Sequence, residues 1–355
     1  MKKPFIPNPP SSMQASFLYG IRDVKLESCP VPTPGSGEVL LQIASVGVCG
    51  SDVHYYSEGR IGNQVVNSPI IMGHEFSAYV VKLGADVENL HTGQLVAVDP
   101  AISCGKCELC RLGHPNLCPN VQFCGTPPVN GVFTEYAVMP AENCFCLPDN
   151  ITSDEGALLE PLGVAIHSVN LSHLKPGDTV TVLGAGPIGL LIARVAKIAG
   201  ASVVIMSEPL EYRRNFAGQN TADICIDPIN QDPVAEINHD TKGRGTDIVF
   251  EAAGAADTPQ QAVDIVRFGG KLILAGIPAD DNLSFSASIA RRKGLTIKLV
   301  RRMKHTYPRA IEMVNTGQVD LKPLITHRLP LTGVGEAMEL LTHYNDGVIK
   351  AVIEM

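Results

Sequence analysis

The sequence predicts a two-domain α/β protein in which a β-rich domain with long loops is joined to a doubly wound parallel sheet. Two observations lead to this fold class. The first part of the chain contains short β-like runs separated by Gly, Pro and Asn, among them 37–48, 79–84, 94–100 and 133–140. From about residue 160 onward, six apolar runs alternate with segments of helical spacing, the pattern of parallel strands with helical crossovers.

The six apolar runs define a parallel sheet of six strands. They are 179–183, 202–206, 223–226, 247–252, 271–276 and 295–299. Helical spacing is found between them, for example over 188–200 and 258–269. Beyond the sheet, 309–315 resembles a helix and 348–355 a final strand, so this tail is predicted to pack back on the first domain.

Composition and charge exclude several classes of protein. The 355 residues include 28 Lys and Arg against 36 Asp and Glu, a formal net charge of −8, which argues against a general nucleic-acid binder. The longest uncharged apolar stretch, 179–193, is too short to span a membrane. The N-terminal arm, 1–12, has four prolines where a signal peptide needs an apolar run, and it is expected to be an extended lead. A soluble, cytoplasmic protein without nucleic-acid or membrane partners is predicted.

A glycine-rich turn follows the first strand of the predicted parallel sheet. The turn GAGPIG matches G-x-G-x-x-G and consists of Gly184, Ala185, Gly186, Pro187, Ile188 and Gly189. Glycines at this spacing let the turn tighten and let the backbone approach a pyrophosphate at the N-terminus of the next helix. Such turns also arise by chance, but the strand–turn–helix context indicates a dinucleotide-binding Rossmann domain.

The end of the next strand indicates which dinucleotide binds. Glu208 follows Gly189 by 19 residues, close to the spacing of an acid that binds the adenosine ribose. A carboxylate there accepts hydrogen bonds from both ribose hydroxyls and repels a 2′-phosphate, so NAD is predicted. Arg213, also a candidate cofactor contact, and Arg214 leave NADP open, although solvated helix charges explain them as well.

Four cysteines lie within one loop. Cys104, Cys107, Cys110 and Cys118 form C-x2-C-x2-C-x7-C, and four thiolates at short spacing suit a closed, structural zinc site. Disulfides are disfavoured in a reducing compartment. An iron–sulfur cluster is the other alternative, but ferredoxins have three residues before the last cysteine, not seven. The remaining five cysteines are expected to be reduced packing residues: Cys29, Cys124, Cys144, Cys146 and Cys225.

A second set of possible ligands is dispersed along the chain. Cys49 occurs in GVCGSDVH, His74 and Glu75 in MGHE, and Glu160 in LLEPLG. Each alone has an ordinary explanation: a small core residue, a buried hydrogen-bonded histidine, and a carboxylate at a helix end. The spacing of these segments does not by itself bring them together.

Several segments together resemble the zinc-dependent medium-chain alcohol dehydrogenases and, within them, the sorbitol (polyol) dehydrogenase branch. Besides the four-cysteine loop, the matching segments are CGSDVHYY, GHE, LCPNVQFCGTPP, EGALLEPLGVAIH, GAGPIG and LKPLITHRLPL. The resemblance implies a GroES-like catalytic domain over 1–161 and 302–355 and a Rossmann coenzyme domain over 162–301. It also implies two zinc ions per chain, one catalytic and one structural, and a homotetramer.

The resemblance assigns a catalytic zinc to the dispersed set. Its ligands would be Cys49, His74 and Glu160, with Glu75 beside the metal as an alternate or water-mediated ligand. One thiolate, one carboxylate and a neutral imidazole cancel the charge of Zn²⁺. Other alcohol dehydrogenases reach this balance with two cysteines and a histidine, so the glutamate is typical of the polyol branch.

The same resemblance implies the reaction. Zinc acts as a Lewis acid on a secondary alcohol, and hydride passes to the nicotinamide. Ser51 would receive the proton and relay it through the nicotinamide ribose toward His54 near solvent. Asp52 would orient His74, as metal-bound histidines usually require.

The resemblance also implies which residues bind the substrate, although these positions belong to less specific motifs. Tyr55, Phe123, Thr126 and Arg302 match positions that line the polyol pocket. Two departures from the family stand out. Ala78 replaces a glycine, which is expected to shift a local turn, and Met303, Lys304 and His305 replace aromatic and amide residues.

The expected activity is therefore NAD-dependent oxidation of an alditol, a small-molecule polyol such as sorbitol or xylitol, to a ketose. The alternative within the family is a threonine or 2,3-butanediol-type dehydrogenase. A zinc-stabilised nucleotide-binding protein without catalysis, such as a redox sensor, is a third hypothesis. It is disfavoured by the resemblance of Cys49, Ser51, His74 and Glu160 to a catalytic centre.

Overall fold

A computed structural model describes residues 8–355, so the first seven residues of the predicted N-terminal arm lie outside the described part of the chain. The strands, in chain order, are β1 (Ser12–Gly20), β2 (Asp23–Pro30), β3 (Glu38–Gly47), β4 (Arg60–Ile61), β5 (Gln64–Val65), β6 (Ile70–Ile71), β7 (Glu75–Leu83), β8 (Leu95–Val98), β9 (Ala101–Ile102), β10 (Gln122–Phe123), β11 (Tyr136–Pro140), β12 (Cys144–Cys146), β13 (Thr179–Leu183), β14 (Val203–Ser207), β15 (Ile224–Ile226), β16 (Thr246–Glu251), β17 (Val266–Leu274), β18 (Thr296–Leu299), β19 (Ile325–Pro330) and β20 (Lys350–Glu354).

The helices alternate with these strands mainly in the second half of the chain. They are α1 (Gly50–Glu58), α2 (Glu108–Arg111), α3 (Ser153–Ala157), α4 (Leu159–Ser172), α5 (Pro187–Ile198), α6 (Glu211–Asn220), α7 (Pro233–Asp240), α8 (Thr258–Ile265), α9 (Ala287–Lys293), α10 (Tyr307–Asn315) and α11 (Val334–His343). Short 3₁₀ turns occur at Pro115–Leu117, Ala141–Asn143, Lys322–Leu324, Leu331–Gly333 and Asn345–Gly347. Among the described residues, each helix is too short or too polar to cross a bilayer.

The chain divides into two compact units. The first extends to Glu160 and resumes at Tyr307, and the second spans Pro161–Thr306. The division falls within α4, so the helix begins in one unit and continues in the other.

The first unit is built on a mixed sheet of seven strands. The strand order is β12-β8-β7-β3-β20-β19, and β11 also pairs with β3. A second sheet, β2-β1-β6, lies within the same unit. Apolar residues of both sheets share a large core, whose largest fully buried members include Leu18, Leu41, Ile43, Phe76 and Phe133. This burial explains why a region with many turn residues folds compactly.

Two strands neighbouring β3 bring distant segments to one place. β3 lies between β7 and β20, with Gly47 opposite both Glu75 and Val352. The tail of the chain therefore completes the sheet of the first unit, as the sequence predicted. Ala78 lies within β7, opposite Ile43 and fully buried. The expectation of a shifted turn there was wrong, since the position is in a strand.

The second unit is a parallel sheet of six strands in the order β15-β14-β13-β16-β17-β18, with helices between successive strands. This confirms the predicted fold class. One boundary differs: helical spacing over 258–269 overstated α8, which ends at Ile265. Val266 has extended backbone angles and pairs with Thr246, so the chain passes directly into β17.

A buried carboxylate joins three strands at their N-terminal ends in this sheet. Asp247 accepts hydrogen bonds from the backbone N–H and hydroxyl of Thr179, at 2.9 and 2.8 Å, and from Arg244 and Arg267, both at 2.6 Å. Burial alone raises the pKa of Asp247, but hydrogen bonds from Arg244, Thr179 and Arg267 outweigh it and hold the pKa well below the usual range. The carboxylate therefore stabilises the folded sheet as an anion.

Candidate metal and cofactor sites

The four cysteines of the loop lie close together. The Sγ atoms of Cys107 and Cys110 are 3.4 Å apart, those of Cys104 and Cys118 3.5 Å, and those of Cys107 and Cys118 3.9 Å. A tetrahedron with Zn–S distances of about 2.3 Å places its sulfur atoms about 3.8 Å apart. The spacing of the thiols therefore fits a four-coordinate zinc ion.

The loop backbone tunes these thiols differently. Backbone N–H groups of Lys106 and Cys107 lower the pKa of Cys104 to about 6, whereas burial raises that of Cys110 to about 11.

All ten cysteines of the chain are free thiols. Cys124 and Cys144 are buried, but Cys146 is exposed, so the expectation that Cys146 is a packing residue was wrong.

A second group of donor atoms forms where β3 ends and β7 begins. Cys49 follows β3 and caps the N-terminus of α1, while His74 and Glu75 stand at the start of β7. One ligand atom from each of the three residues lies within 4.8 Å of the others. A sulfur, a nitrogen and an oxygen from the protein suit a zinc site that keeps one position open.

A buried carboxylate holds this second group in place. Asp52 is fully buried; its Oδ2 accepts the N–H of Cys49 at 3.0 Å and its Oδ1 accepts that of Gly73 at 3.1 Å. Oδ1 also lies 3.4 Å from Nδ1 of His74. This leaves Nε2 of His74 as the nitrogen that faces away from Asp52. Burial lowers the pKa of His74, but the Asp52 carboxylate and the Cys49 thiol raise it well above 6.5.

Glu160 is a buried carboxyl whose pKa depends on the charges of this group. It is 5% exposed at the start of α4 and does not belong to the close group of three among the described residues. Burial raises the pKa of Glu160, the charge of His74 lowers it and that of Glu75 raises it, with a net value of about 8. The site thus gathers several acidic groups in a place that water barely reaches.

Two residues predicted to carry the proton flank the group. The hydroxyl of Ser51 is 3.5 Å from Nε2 of His74. His54, one turn along α1, is half-buried, and its Nδ1 lies 3.2 Å from the carboxylate of Glu58. Both side chains lie on α1, the helix that Cys49 caps.

Three of the four predicted substrate residues belong to the same unit. The ring of Phe123 is 5.1 Å from that of His74. Tyr55 is buried and donates a hydrogen bond to Gln64 at 3.2 Å, and Thr126 is half-buried in the loop after Phe123. Arg302 belongs to the second unit, where it is half-buried with a positive φ of 54°.

The glycine-rich turn has the geometry expected of a dinucleotide site. Gly184 has a φ of +98°, and a Cβ on Gly189 would stand 1.9 Å from the carbonyl oxygen of Gly184. Gly186 caps α5, whose first residues are Pro187 and Ile188. Free N–H groups at such a helix start favour an anion.

The predicted ribose contacts lie beside this turn. Glu208 is 4% exposed and accepts the N–H of Ala185 at 2.6 Å. Arg213 is buried, and its Nη1 would be 3.6 Å from a Cβ on Gly186. The turn, an acid and an arginine are thus assembled within one unit.

Sequence reasoning missed Lys350, which lies in β20 with 2% of its surface exposed and forms an ion pair with Glu75. Burial lowers the pKa of Lys350, but Glu75 and Cys49 raise it above its ordinary value. The signal was a lysine flanked by apolar residues on both sides in the predicted final strand, because a lysine is almost never fully buried unless it is paired.

The fold and these sites define an oxidoreductase with a metal-binding β-rich domain and a dinucleotide-binding domain. Residues 35–149 match the alcohol dehydrogenase GroES-like domain, and 187–316 match the zinc-binding dehydrogenase domain. A sorbitol dehydrogenase of Bacillus subtilis is 38% identical over 344 residues, which cover 97% of this chain and 98% of the relative. The chain therefore belongs to the zinc-dependent medium-chain alcohol dehydrogenase family, in its sorbitol dehydrogenase branch.

Two further similarities extend this result. A probable D-xylulose reductase A of Aspergillus clavatus is 38% identical over 315 residues, covering 87% of this chain and 88% of the relative. The crystal structure of a putative zinc-binding dehydrogenase of Sinorhizobium meliloti bound to NADP superposes with a TM-score of 0.89 at 29% identity. That comparison covers 98% of this chain and 100% of the other. The predicted class of enzyme is confirmed.

Proposed function

We propose that the protein is a zinc- and NAD-dependent polyol dehydrogenase that oxidises a secondary hydroxyl of an alditol to the ketose. The observation that carries the proposal is the close group of Cys49, His74 and Glu75, with donor atoms within 4.8 Å of one another. It occurs in a chain that is 38% identical to a sorbitol dehydrogenase over 97% of its length.

Two zinc sites per chain are part of the proposal. Cys104, Cys107, Cys110 and Cys118 would hold a structural zinc, because their sulfur spacing suits a closed tetrahedron. Cys49, His74 and Glu160 would hold the catalytic zinc, with Glu75 as the alternate ligand beside it. The buried Asp52 keeps His74 oriented toward that zinc through Nδ1.

NAD is the proposed coenzyme. The Gly184–Gly189 turn and the start of α5 would take the pyrophosphate, and Glu208 would accept the ribose hydroxyls. Arg213, beside Gly186, would approach the same end of the coenzyme. The buried carboxylate of Glu208 opposes a 2′-phosphate, which supports NAD over NADP.

When bound, zinc would supply Lewis acidity to the substrate hydroxyl and NAD⁺ would accept the hydride, so that alditol and NAD⁺ give ketose, NADH and a proton. Ser51, whose Oγ lies 3.5 Å from Nε2 of His74, would accept the hydroxyl proton and release its own toward the nicotinamide ribose. The relay would continue from the ribose to His54, which faces Glu58 on the same helix, and from His54 to solvent.

Two domains would divide this work. The catalytic domain would comprise 1–161 and 302–355, and the coenzyme domain 162–301, which differ from the two compact units only at Pro161 and at 302–306. Tyr55, Phe123, Thr126 and Arg302 would contact the polyol, to whose hydroxyls Tyr, Thr and Arg offer hydrogen-bond donors. A cytoplasmic homotetramer is the expected form of the enzyme.

Initial rates of NAD⁺ reduction test the substrate assignment. Sorbitol, xylitol, arabinitol, galactitol and iditol would be compared with threonine and 2,3-butanediol on the same preparation. The proposal predicts that an alditol has the highest kcat/KM. A higher value for threonine or butanediol would favour the alternative, and no NADH from any of them would remove the assignment.

A further inference from the structure

Lys350 is a cation within the wall of the candidate catalytic metal site. It lies in β20 with 2% of its surface exposed, and its Nζ donates a hydrogen bond to the carbonyl of Val48 at 2.8 Å. The same Nζ forms an ion pair with Glu75, whose side chain is 2% exposed. Such a pair is expensive to desolvate, so its place beside the donor group calls for a physical reason.

The backbone is shaped to admit this pair. Gly47 lies opposite Glu75 in the β3–β7 ladder. A Cβ at Gly47 would stand 2.3 Å from Oε2 of Glu75 and 3.1 Å from Cε of Lys350. Because Gly47 has no side chain, the carboxylate of Glu75 in β7 and the ammonium of Lys350 in β20 can meet across β3, which lies between those two strands.

The surroundings explain what the ammonium offsets. Charges of Glu75, Cys49 and Glu160 all act on Lys350, and they come from β7, the β3–α1 junction and the start of α4. If the thiol and both carboxyls were ionised beside Zn²⁺, the site would keep one excess negative charge. The charge of Lys350 cancels that excess.

We propose that Lys350 is a positioning residue that holds the Glu75 carboxylate in the wall of the site and limits how tightly the metal is bound there. The inference rests on the proposed zinc site. An ammonium beside a divalent cation opposes its binding, and a carboxylate paired with that ammonium is a weaker ligand. Lys350 and Glu75 therefore act on the metal in opposite directions.

The rate at which the holoenzyme releases the zinc of this site to a chelator, followed with a zinc indicator, tests the proposal. Lys350→Met is expected to slow release about tenfold, and Glu75→Gln to accelerate it about tenfold. The double variant is expected to release zinc at a rate within about threefold of the parent's, because it removes both opposing effects. Lys350→Arg, which keeps the charge, is the matched control and should stay within about twofold.

A purely structural pair gives a different result. Both single variants would then loosen the site and release zinc faster, which would overturn the proposal, as would an unchanged rate in Lys350→Met. If Lys350→Met does not fold, the double variant must still release zinc more slowly than Glu75→Gln. An equal or faster rate would overturn the proposal.

Zinc release and catalysis are read separately. If the variants shift zinc release as expected but the parent oxidises no alditol, the proposed function fails and the role of Lys350 stands. If the parent is active and the release rates do not move in opposite directions, only the inference on Lys350 fails.

Discussion

The two units assemble their candidate sites in different ways. In the second unit the candidate coenzyme residues lie in two consecutive strand–turn–helix segments, between Gly184 and Arg213. In the first unit the donor group combines Cys49, His74 and Glu75, and the neighbouring strand that carries Lys350 comes from the end of the chain. A local site is readable from spacing, whereas a dispersed site exists only after the sheet has formed.

The burial of charge also differs between the two units. In the second unit the buried Asp247 is matched by two arginines and by the backbone N–H of Thr179, at the N-terminal ends of the strands. In the first unit Glu75, Glu160 and Lys350 are all at most 5% exposed near the donor group. In the second unit, the buried charge that stabilises the sheet is therefore distinct from the candidate coenzyme residues. In the first unit, the buried charges belong to the candidate site itself.

Cys49→Ala should have the largest effect on activity. The dispersed site loses a ligand, and kcat is expected to fall about a thousandfold because metal Lewis acidity contributes several kcal/mol to such reactions. Steady-state NADH formation measures it, and Cys146→Ala, at an exposed thiol, is the control. A Cys49→Ala enzyme within about tenfold of the parent would contradict the dispersed site.

Cys107→Ala should instead lower stability. The four-cysteine loop loses one of its thiolates, so the melting temperature is expected to fall by at least about 5 °C. The kcat of the remaining folded enzyme should change less than about threefold, because a closed site offers no position to substrate. A large loss of kcat without a change in melting temperature would remove the distinction between the two metal sites.

Asp247→Asn should weaken the second unit by about 2 kcal/mol at pH 7, since hydrogen bonds to a charged group are lost. The pKa of Asp247 is lower in the folded than in the unfolded chain, so its stabilisation is present above about pH 4 and is lost on further acidification. Urea unfolding at several pH values measures the difference in free energy of unfolding between the parent and Asp247→Asn, which should decrease below pH 4. Asp240→Asn, at an exposed site, should unfold with the same free energy as the parent. A difference between the parent and Asp247→Asn that is constant with pH would contradict this role of Asp247.

Glu208→Ala should have the smallest of these effects, raising the KM for NAD⁺ about tenfold and improving the relative use of NADP⁺. The carboxylate that opposes a 2′-phosphate is then gone, while kcat should hardly change. Glu211→Gln, at an exposed position on α6, provides the matched control. An unchanged preference for NAD⁺ over NADP⁺ in Glu208→Ala would show that the adenosine ribose is bound by other residues.

The sequence predicted the second unit well because each of its signals is local. Apolar runs of strand length, the GAGPIG turn and Glu208 at the end of the next strand need no knowledge of the rest of the fold. The end of α8 was misplaced because Val266 continues an apolar spacing that is compatible with both helix and strand.

The first unit was predicted only in part. The four cysteines were identifiable from spacing, but Cys49, His74 and Glu160 were linked only by family resemblance. The ion pair of Lys350 with Glu75 went unpredicted, because it depends on the register that sets Gly47 between β7 and β20. Pairings between strands so far apart in the chain leave no short-range pattern.

Stepwise zinc removal with a parallel assay of NAD⁺-dependent alditol oxidation tests whether the dispersed donor group holds a catalytic zinc. About two zinc ions per chain are expected at the start, and activity should fall in proportion to loss of the more weakly held one. Restoring zinc should restore activity. Undiminished NADH production after that zinc has left would contradict a catalytic role for it.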